Sequence, residues 1–254
     1  MKYGEIIELG AHRLMCGDAT SRDDVMRLVD GLKVDLVLTD PPYSSGGLYA
    51  RDKRQLPSIK YQTTGTNKKY PEYTHDNMDA HSWTMFNQMW HSNIFPHMED
   101  GAYFLQFSDW RQLATTTDTI QTSGLMWRGV IVWNKTEGCR PQKGLFRQQC
   151  EFIAYGTKGK IVGDFVLPGL YTHYQKPAEK YHVVGKPVEL MCELLKCVPA
   201  GATVLDVFGG SGTTLIACEM TGRKCLMMEI SPEYSEIIKA RYEKLTEGKL
   251  PLEE

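Results

Sequence analysis

The segment from Thr203 to Glu229 narrows the choice of fold more than any other part of this chain. Thr203-Val-Leu-Asp206-Val-Phe208 reads as a short buried strand, Gly209-Gly210-Ser211-Gly212 cannot extend it, and a helix follows to Thr221-Gly222. Lys224-Cys-Leu-Met-Met-Glu229 then reads as the next strand. Strand, turn, helix and strand in so short a span form a βαβ unit, which places its strands parallel in one sheet. Glu229 falls about 20 residues beyond the first glycine, the spacing at which an acid accepts from ribose hydroxyls in a nucleotide-binding crevice. Gly209, Gly210 and Gly212 let a ligand approach the main chain, and the helix N-terminus favours an anionic group. A nucleoside-containing cofactor is therefore expected here, the alternative being a purely structural glycine turn. NAD and S-adenosylmethionine both satisfy Glu229; a dinucleotide needs room for a pyrophosphate, and the third glycine of its usual pattern is absent, but the glycines alone leave both open.

A second stretch, Val34-Asp-Leu-Val-Leu-Thr-Asp40-Pro41-Pro42-Tyr43, makes a strand that must stop. Proline lacks an N–H and fixes φ, and the residue before a proline is held extended, which applies to both Asp40 and Pro41. A carboxylate, two carbonyls and an aromatic ring are thus presented on a stiff support at a strand's carboxyl end. Such a holder suits an exocyclic amino group on a nucleobase, whose lone pair is delocalised into the ring. Asp40 and a neighbouring main-chain carbonyl can each accept one N–H, favouring a pyramidal nitrogen aimed at an electrophile, while Tyr43 stacks on the base. The plainer alternative is a proline-stiffened turn with a salt-bridged Asp and a half-buried Tyr.

At 254 residues, 42% hydrophobic and 24% charged, the chain fits one soluble α/β domain with a modest insertion. It has no apolar run of signal-peptide length at Met1-Lys-Tyr-Gly and no stretch of 18 apolar residues, so the cytoplasm is expected and a membrane is not. Seven cysteines without a Cys-x-x-Cys pair argue against a disulfide framework or structural zinc; their expected role is packing, and no metal site is expected. A net charge of −2 is unlike a dedicated DNA-binding domain. Its distribution differs from its sum: Arg51, Lys53, Arg54, Lys60, Lys68 and Lys69 face the single acid Asp52. These lie in an arm over residues 44–82 that lacks periodicity and interleaves the cations with tyrosines 49, 61, 70 and 73. That composition suits backbone contact plus base stacking, with a solvated charged loop as the alternative.

Along the chain, His12–Cys16 reads as a strand and Ser21 to Gly31 as a helix capped by Ser21. A helix over 83–97 carries Trp83, Phe86, Trp90 and Ile94 on one face, expected in the core. Strands are expected at 102–107, 127–133 and 152–155, with helices at 110–123, after Pro187, and from Pro232 to about Leu245. Residues 160–181 form a short variable segment.

The pairing of Asp40-Pro-Pro-Tyr43 with Asp206-Val-Phe-Gly-Gly-Ser-Gly-Thr-Thr214 resembles the DNA amino-methyltransferases. The order, with the catalytic motif first and the cofactor motif last, is that of their circularly permuted β-class. Gly17-Asp18, Val130-Ile-Val-Trp-Asn-Lys135, and His182 with Lys186-Pro187 extend the resemblance over most of the chain. It implies a Rossmann-like, mostly parallel seven-stranded sheet with helices on both faces, in which the strands ending at Asp40 and Asp206 are neighbours. It implies S-adenosylmethionine as cofactor, with Asp18, Lys186, Asp206, Phe208, Gly209, Gly210, Ser211, Gly212, Thr213 and Glu229 as its contacts. Asp40, Pro41, Pro42 and Tyr43 become the catalytic set, with Phe208 or Trp133 as a further stacking ring. DNA is the implied partner, contacted by the basic arm and Lys135, and a homodimer and a companion restriction endonuclease are compatible with the resemblance. The implied reaction is direct methylation of N6 of a flipped-out adenine; Asp40 favours adenine because relatives with Ser in its place tend toward cytosine. N4-cytosine methylation and a non-catalytic protein binding cofactor and DNA are the alternatives. The chain departs from the family at Val183 and Gly185, and the short interval between Gly159 and His182 implies that sequence specificity is short or degenerate, or that the 44–82 arm performs the readout.

Overall fold

The computed structural model describes residues 1–43, 78, 80–139, 143–174 and 185–248. The chain begins with strands β1 (Ile6–Leu9) and β2 (His12–Cys16), helix α1 (Arg22–Val29) and β3 (Val34–Thr39). Beyond the catalytic-motif loop come α2 (Ala80–Ile94), β4 (Met98–Ser108), α3 (Leu113–Thr122), β5 (Met126–Asn134), β6 (Cys150–Thr157) and the short β7 (Leu170–Thr172). The last third holds α4 (Val188–Leu194), β8 (Thr203–Asp206), α5 (Thr213–Thr221), β9 (Lys224–Glu229) and α6 (Pro232–Thr246).

One sheet joins all nine of these strands in the order β1-β2-β9-β8-β3-β4-β6-β5-β7. The seven from β2 to β5 are those expected from the sequence, with β1 and β7 added at the two edges. Pairing is parallel for β2–β9, β9–β8, β8–β3, β3–β4 and β5–β7, and antiparallel for β1–β2, β4–β6 and β6–β5. The sequence analysis did not anticipate β1. It hairpins onto β2 through Gly10-Ala11, with Leu9 paired to His12 and Gly10 at φ 58, a two-residue turn that a left-handed first residue permits. The expected helix over 83–97 begins earlier, at Ala80, so the end of the supposed arm is helical, and its last turn tightens to a 3-10 helix at Phe95–His97. The rest of the 44–82 arm, with its basic residues and tyrosines, lies outside the described residues apart from Met78 and 80–82.

Alternation along the strands divides the core into two layers. Leu36 and Leu38 of β3, with Tyr103, Leu105 and Phe107 of β4, pack with Leu190 of α4, Leu215 of α5 and Ile238 of α6. Val37 and Phe104 face the other way, toward Val25 and Leu28 of α1, Trp90 and Ile94 of α2, and Ile120 of α3. Ser21 caps α1 by accepting from the Asp24 N–H, and Ser231 caps α6 by accepting from Tyr234, as expected for serines one residue ahead of their helices. All seven cysteines are free, four of them buried. No described helix is long and apolar enough to cross a membrane.

The β3–β8 pairing brings together the two stretches that the sequence singles out. Leu36 and Val37 pair with Val204 and Leu205, so Thr39 and Asp206 reach the same edge of the sheet. There the Thr39 hydroxyl donates to Asp206 Oδ1 at 2.7 Å, the Thr214 hydroxyl to Oδ2 at 2.5 Å, and the Phe208 N–H to Oδ1 at 3.1 Å. Burial pushes the Asp206 carboxyl up to about 6, against these donors. Thr39→Val keeps the shape of the side chain and removes one donor to a buried acid. It is expected to lower the free energy of unfolding by about 1.5–3 kcal/mol, read by urea denaturation. An unchanged midpoint would show that Asp206 does not depend on this contact.

Candidate active site

A cavity of about 530 Å³ opens at the carboxyl ends of β2, β3, β8 and β9, where ligands of open α/β sheets bind. Its walls include Asp18 after β2, the whole Asp40-Pro41-Pro42-Tyr43 loop after β3, Lys186 ahead of α4, and Asp206, Phe208, Gly209, Gly210, Ser211 and Thr213 around the glycine turn. Glu229, the last residue of β9, completes it. Residues far apart in sequence thus share one volume because their strands are parallel neighbours.

At the glycine turn, Gly210 has φ 53 and a Cβ on it would meet nothing within 4 Å, so bare backbone faces open space. Gly212 is different. It is absent from the cavity wall, has φ 84 at the N-cap of α5, and a Cβ there would come within 2.9 Å of Ile238 Cγ2. Its glycine lets α5 and α6 approach and leaves ligand contact to its neighbours. Arg241 of α6 braces the turn from behind, donating to the Ser211 carbonyl at 3.1 Å and the Thr213 hydroxyl at 3.2 Å. Glu229 accepts from the Gly210 N–H at 2.7 Å and the Ser231 N–H at 2.9 Å, and burial pushes its carboxyl up to about 7 against those backbone donors. Asp18 accepts from both the N–H and the hydroxyl of Thr20, each at 2.8 Å.

On the other side of the cavity, both oxygens of Asp40 are engaged. Tyr43 donates its hydroxyl to Oδ1, and the Lys186 ammonium lies 2.5 Å from Oδ2. Expected to touch the cofactor, Lys186 directs its charge between two carboxylates, for Glu151 Oε2 lies 3.2 Å away. Glu151 in turn accepts from Lys135 at 3.0 Å. Burial raises the Asp40 pKa, with Lys186 opposing. For Lys186 burial acts against the charge, but Asp40 and Glu151 outweigh it and raise the pKa. Glu151 is likewise penalised by burial, and the two lysines outweigh that and lower its pKa. Lys186 and Glu151 are therefore ionised.

Several site residues were not legible in the sequence. Glu151 precedes the expected strand at 152–155 and had no recognisable partner, because Lys186 and Lys135 reach it only across the sheet. Met85, Phe86 and Met89 of α2 line the cavity, and Phe86 packs its ring 5.7 Å from that of Phe208, so the helix whose Trp83, Phe86, Trp90 and Ile94 face was expected in the core also serves the site. Trp83 and Trp90 of the same helix are fully buried, as expected. Trp83 donates its indole N–H to the Pro42 carbonyl at 2.8 Å. Trp133 must be withdrawn as a stacking ring. It is 1% exposed and donates to the His173 carbonyl at 3.0 Å, because alternation turns it into the core. Lys135 is held by Glu151 and remains a quarter exposed, while His182 and Arg51, Lys53, Arg54, Lys60, Lys68 and Lys69 lie outside the described residues.

Residues 166–240 match the model of a family described as DNA methylase. The type II methyltransferase M.HpaI of Haemophilus parainfluenzae is 22% identical over 256 residues, which span 90% of this chain and 73% of that protein. Among solved structures, the crystal structure of the M1.HpyAVI–SAM complex aligns with a TM-score of 0.66 at 20% identity, over 90% of this chain and 97% of the other. PvuII DNA methyltransferase (cytosine-N4-specific) aligns with a TM-score of 0.65 at 14% identity, over 96% and 97%. The sheet described above is thus the Rossmann-like methyltransferase fold.

Trp83→Phe preserves the buried ring and deprives the Pro42 carbonyl of its donor. Its expected effect is a loss of about 1–3 kcal/mol in stability, seen as a lowered melting temperature. A variant that melts with the wild type would remove Trp83 as the brace of the loop.

Proposed function

We propose that this S-adenosylmethionine-dependent DNA methyltransferase acts on N6 of an adenine rotated out of the duplex, with Asp40 as the acceptor that orients the amino group. The observation that carries the proposal is that the proline-stiffened Asp40 loop and the glycine turn with Glu229 open into one cavity. The walls also bear on the choice of cofactor. Among the described residues, Asp18, Asp40, Asp206 and Glu229 face the cavity against the single ammonium of Lys186, which favours a cationic sulfonium over the pyrophosphate of a dinucleotide. S-adenosylmethionine, when bound, supplies an electrophilic methyl group. Glu229 would accept from its ribose hydroxyls, with Asp18, Phe208 and the backbone of Gly209 and Gly210 forming the rest of the seat.

An amino group conjugated with a purine ring is a weak nucleophile. Asp40 can accept one of its N–H bonds. A second acceptor would come from a neighbouring main-chain carbonyl of the same loop, where that of Pro42 already accepts one hydrogen bond, from Trp83. Both acceptors together favour a pyramidal nitrogen whose lone pair points away from them. Tyr43 must release Asp40 Oδ1 as the base enters, and its ring, then free, stacks on the base. That stacking and the apolar wall of Phe86 and Met89 offset the few kcal/mol needed to extrude a base. No cysteine takes part in this scheme.

N4 of cytosine offers the same amino chemistry in a smaller ring, and the likeness to the cytosine-N4-specific PvuII enzyme makes it the competing outcome. Recognition is proposed to be short or degenerate, since between β6 and α4 the described residues form only the three-residue strand β7. The deciding experiment incubates the protein with DNA and methyl-labelled S-adenosylmethionine and digests the product to nucleosides. Label is expected in N6-methyladenosine, and Asp40→Ala is expected to abolish it while cofactor binding persists. Label in N4-methylcytosine would overturn the adenine assignment, and no label in either base would overturn the activity.

The raised Glu229 pKa gives a second expectation. A carboxyl that titrates at about 7 is partly protonated near neutrality, and only its ionised form accepts from both hydroxyls. Cofactor affinity should therefore weaken as pH falls through about 7, approaching about tenfold per pH unit below it. Calorimetric titration across pH 5.5–8.5, the range chosen to bracket about 7, would show this slope. The part of the slope centred at about 7 should vanish in Glu229→Gln, leaving what the Asp206 carboxyl contributes at about 6, and a wild-type affinity independent of pH would contradict the assignment of Glu229.

A further inference from the structure

The arrangement around Asp40 poses a problem for the proposed reaction. A base amino group needs a free carboxylate oxygen, yet Tyr43 and Lys186 hold both oxygens of Asp40. Tyr43 can leave by rotating toward the base. Lys186 cannot simply withdraw: its side chain is 4% exposed, and an uncompensated buried ammonium is costly by several kcal/mol. It needs a second anion within reach, and the structure supplies one.

Glu151 lies at the start of β6, opposite Trp133 of β5, at the same end of the sheet as Asp40. Its Oε2 is 3.2 Å from the Lys186 ammonium, and its side chain is only 14% exposed. Its other oxygen is anchored by Lys135 at 3.0 Å, which fixes the carboxylate in place. The faces of Tyr43 and Phe107 lie 5.2 and 4.9 Å from the same ammonium and leave it a weakly polar path between the two acids. Two lysines and two acids form a charge-balanced group in which one cation bridges both anions.

We propose that Glu151 is a positioning residue for methyl transfer: it is the alternate seat of Lys186, which moves its pairing from Asp40 to Glu151 as the base arrives and so frees Asp40 to accept from the amino group. The inference rests on the function proposed above for Asp40. Glu151 is not among the residues that line the cavity; its Oε2 lies 3.2 Å from the Lys186 ammonium and 3.5 Å from the Tyr43 hydroxyl, and it acts through the lysine, the nearer of the two. With Glu151 neutral, Lys186 has Asp40 as its sole anionic partner among the described residues and stays there.

The test compares single-turnover methylation rates and cofactor Kd for wild type, Glu151→Gln, Lys186→Gln and the double variant. Transfer by the wild type is the baseline, and its absence would sink the proposed function rather than this inference. Glu151→Gln is expected to lower the rate about 10- to 100-fold with cofactor Kd unchanged. Lys186→Gln is expected to retain measurable transfer, and in that background Glu151→Gln should cost nothing further. A wild-type rate in Glu151→Gln overturns the inference. So does parallel loss of rate and cofactor binding, additive losses in the double variant, or a Lys186→Gln protein without transfer. If Glu151→Gln does not melt cooperatively, Glu151→Asp takes its place in the cycle. Its carboxylate sits one methylene further back, so the loss should be smaller and should again disappear without Lys186; a loss that persists without Lys186 overturns the inference.

Discussion

The parallel pairing of β3 with β8, fastened at its end by Asp206, is the constraint on which the site depends. Thr39 and Thr214 come from opposite halves of the chain, and both donate to this one buried carboxylate. The residue after Thr39 is Asp40, and the residues after Asp206 form the glycine turn. Where Asp206 is satisfied, the Asp40 loop and the glycine turn therefore leave the sheet side by side. An acid kept in so dry a place needs its donors, since an unpaired buried carboxylate would force the strand ends apart or take up a proton.

Around that point the site divides by electrostatics. On the cofactor side, Asp18 and Glu229 are satisfied largely by backbone N–H groups and a threonine, which fix their orientation while leaving lone pairs for a ligand. On the other side, Asp40 meets the Lys186 ammonium and the Tyr43 phenol, both carried on side chains. Helix α2 serves both sides: Trp83 steadies the Pro42 carbonyl, Phe86 lines the cavity, and Trp90 packs in the core with its ring 5.3 Å from Phe208.

Much of this was legible in the sequence wherever a local rule governs the outcome. Two successive prolines must end a strand, and glycines ahead of a helix with an acid at the next strand's end make a nucleotide crevice, so Asp40, Gly210 and Glu229 could be named as site residues without coordinates. Trp133 shows the limit of that approach. It sits in a stretch resembling the family's, yet its place on the pleat turns it inward. Phe86 shows another limit, since it packs against the core as helical spacing groups it and also lines the cavity, which the spacing does not reveal. Glu151 had no local signal at all, because its meaning lies in two lysines, one 16 residues before it and the other 35 after, brought close only by the sheet.

The sequence by itself determined the order of the elements, the places where strands must stop, and the chemical type of the groups at those stops, because these follow from backbone stereochemistry and short-range spacing. Only the tertiary structure decided which of those groups confront one another: that Asp206 ties the two halves, that Lys186 stands between Asp40 and Glu151, and that Gly212 serves packing instead of ligand. Charge–charge and donor–acceptor contacts act over a few ångströms in space, and distance along the chain carries almost no information about them until strand order and register have been fixed.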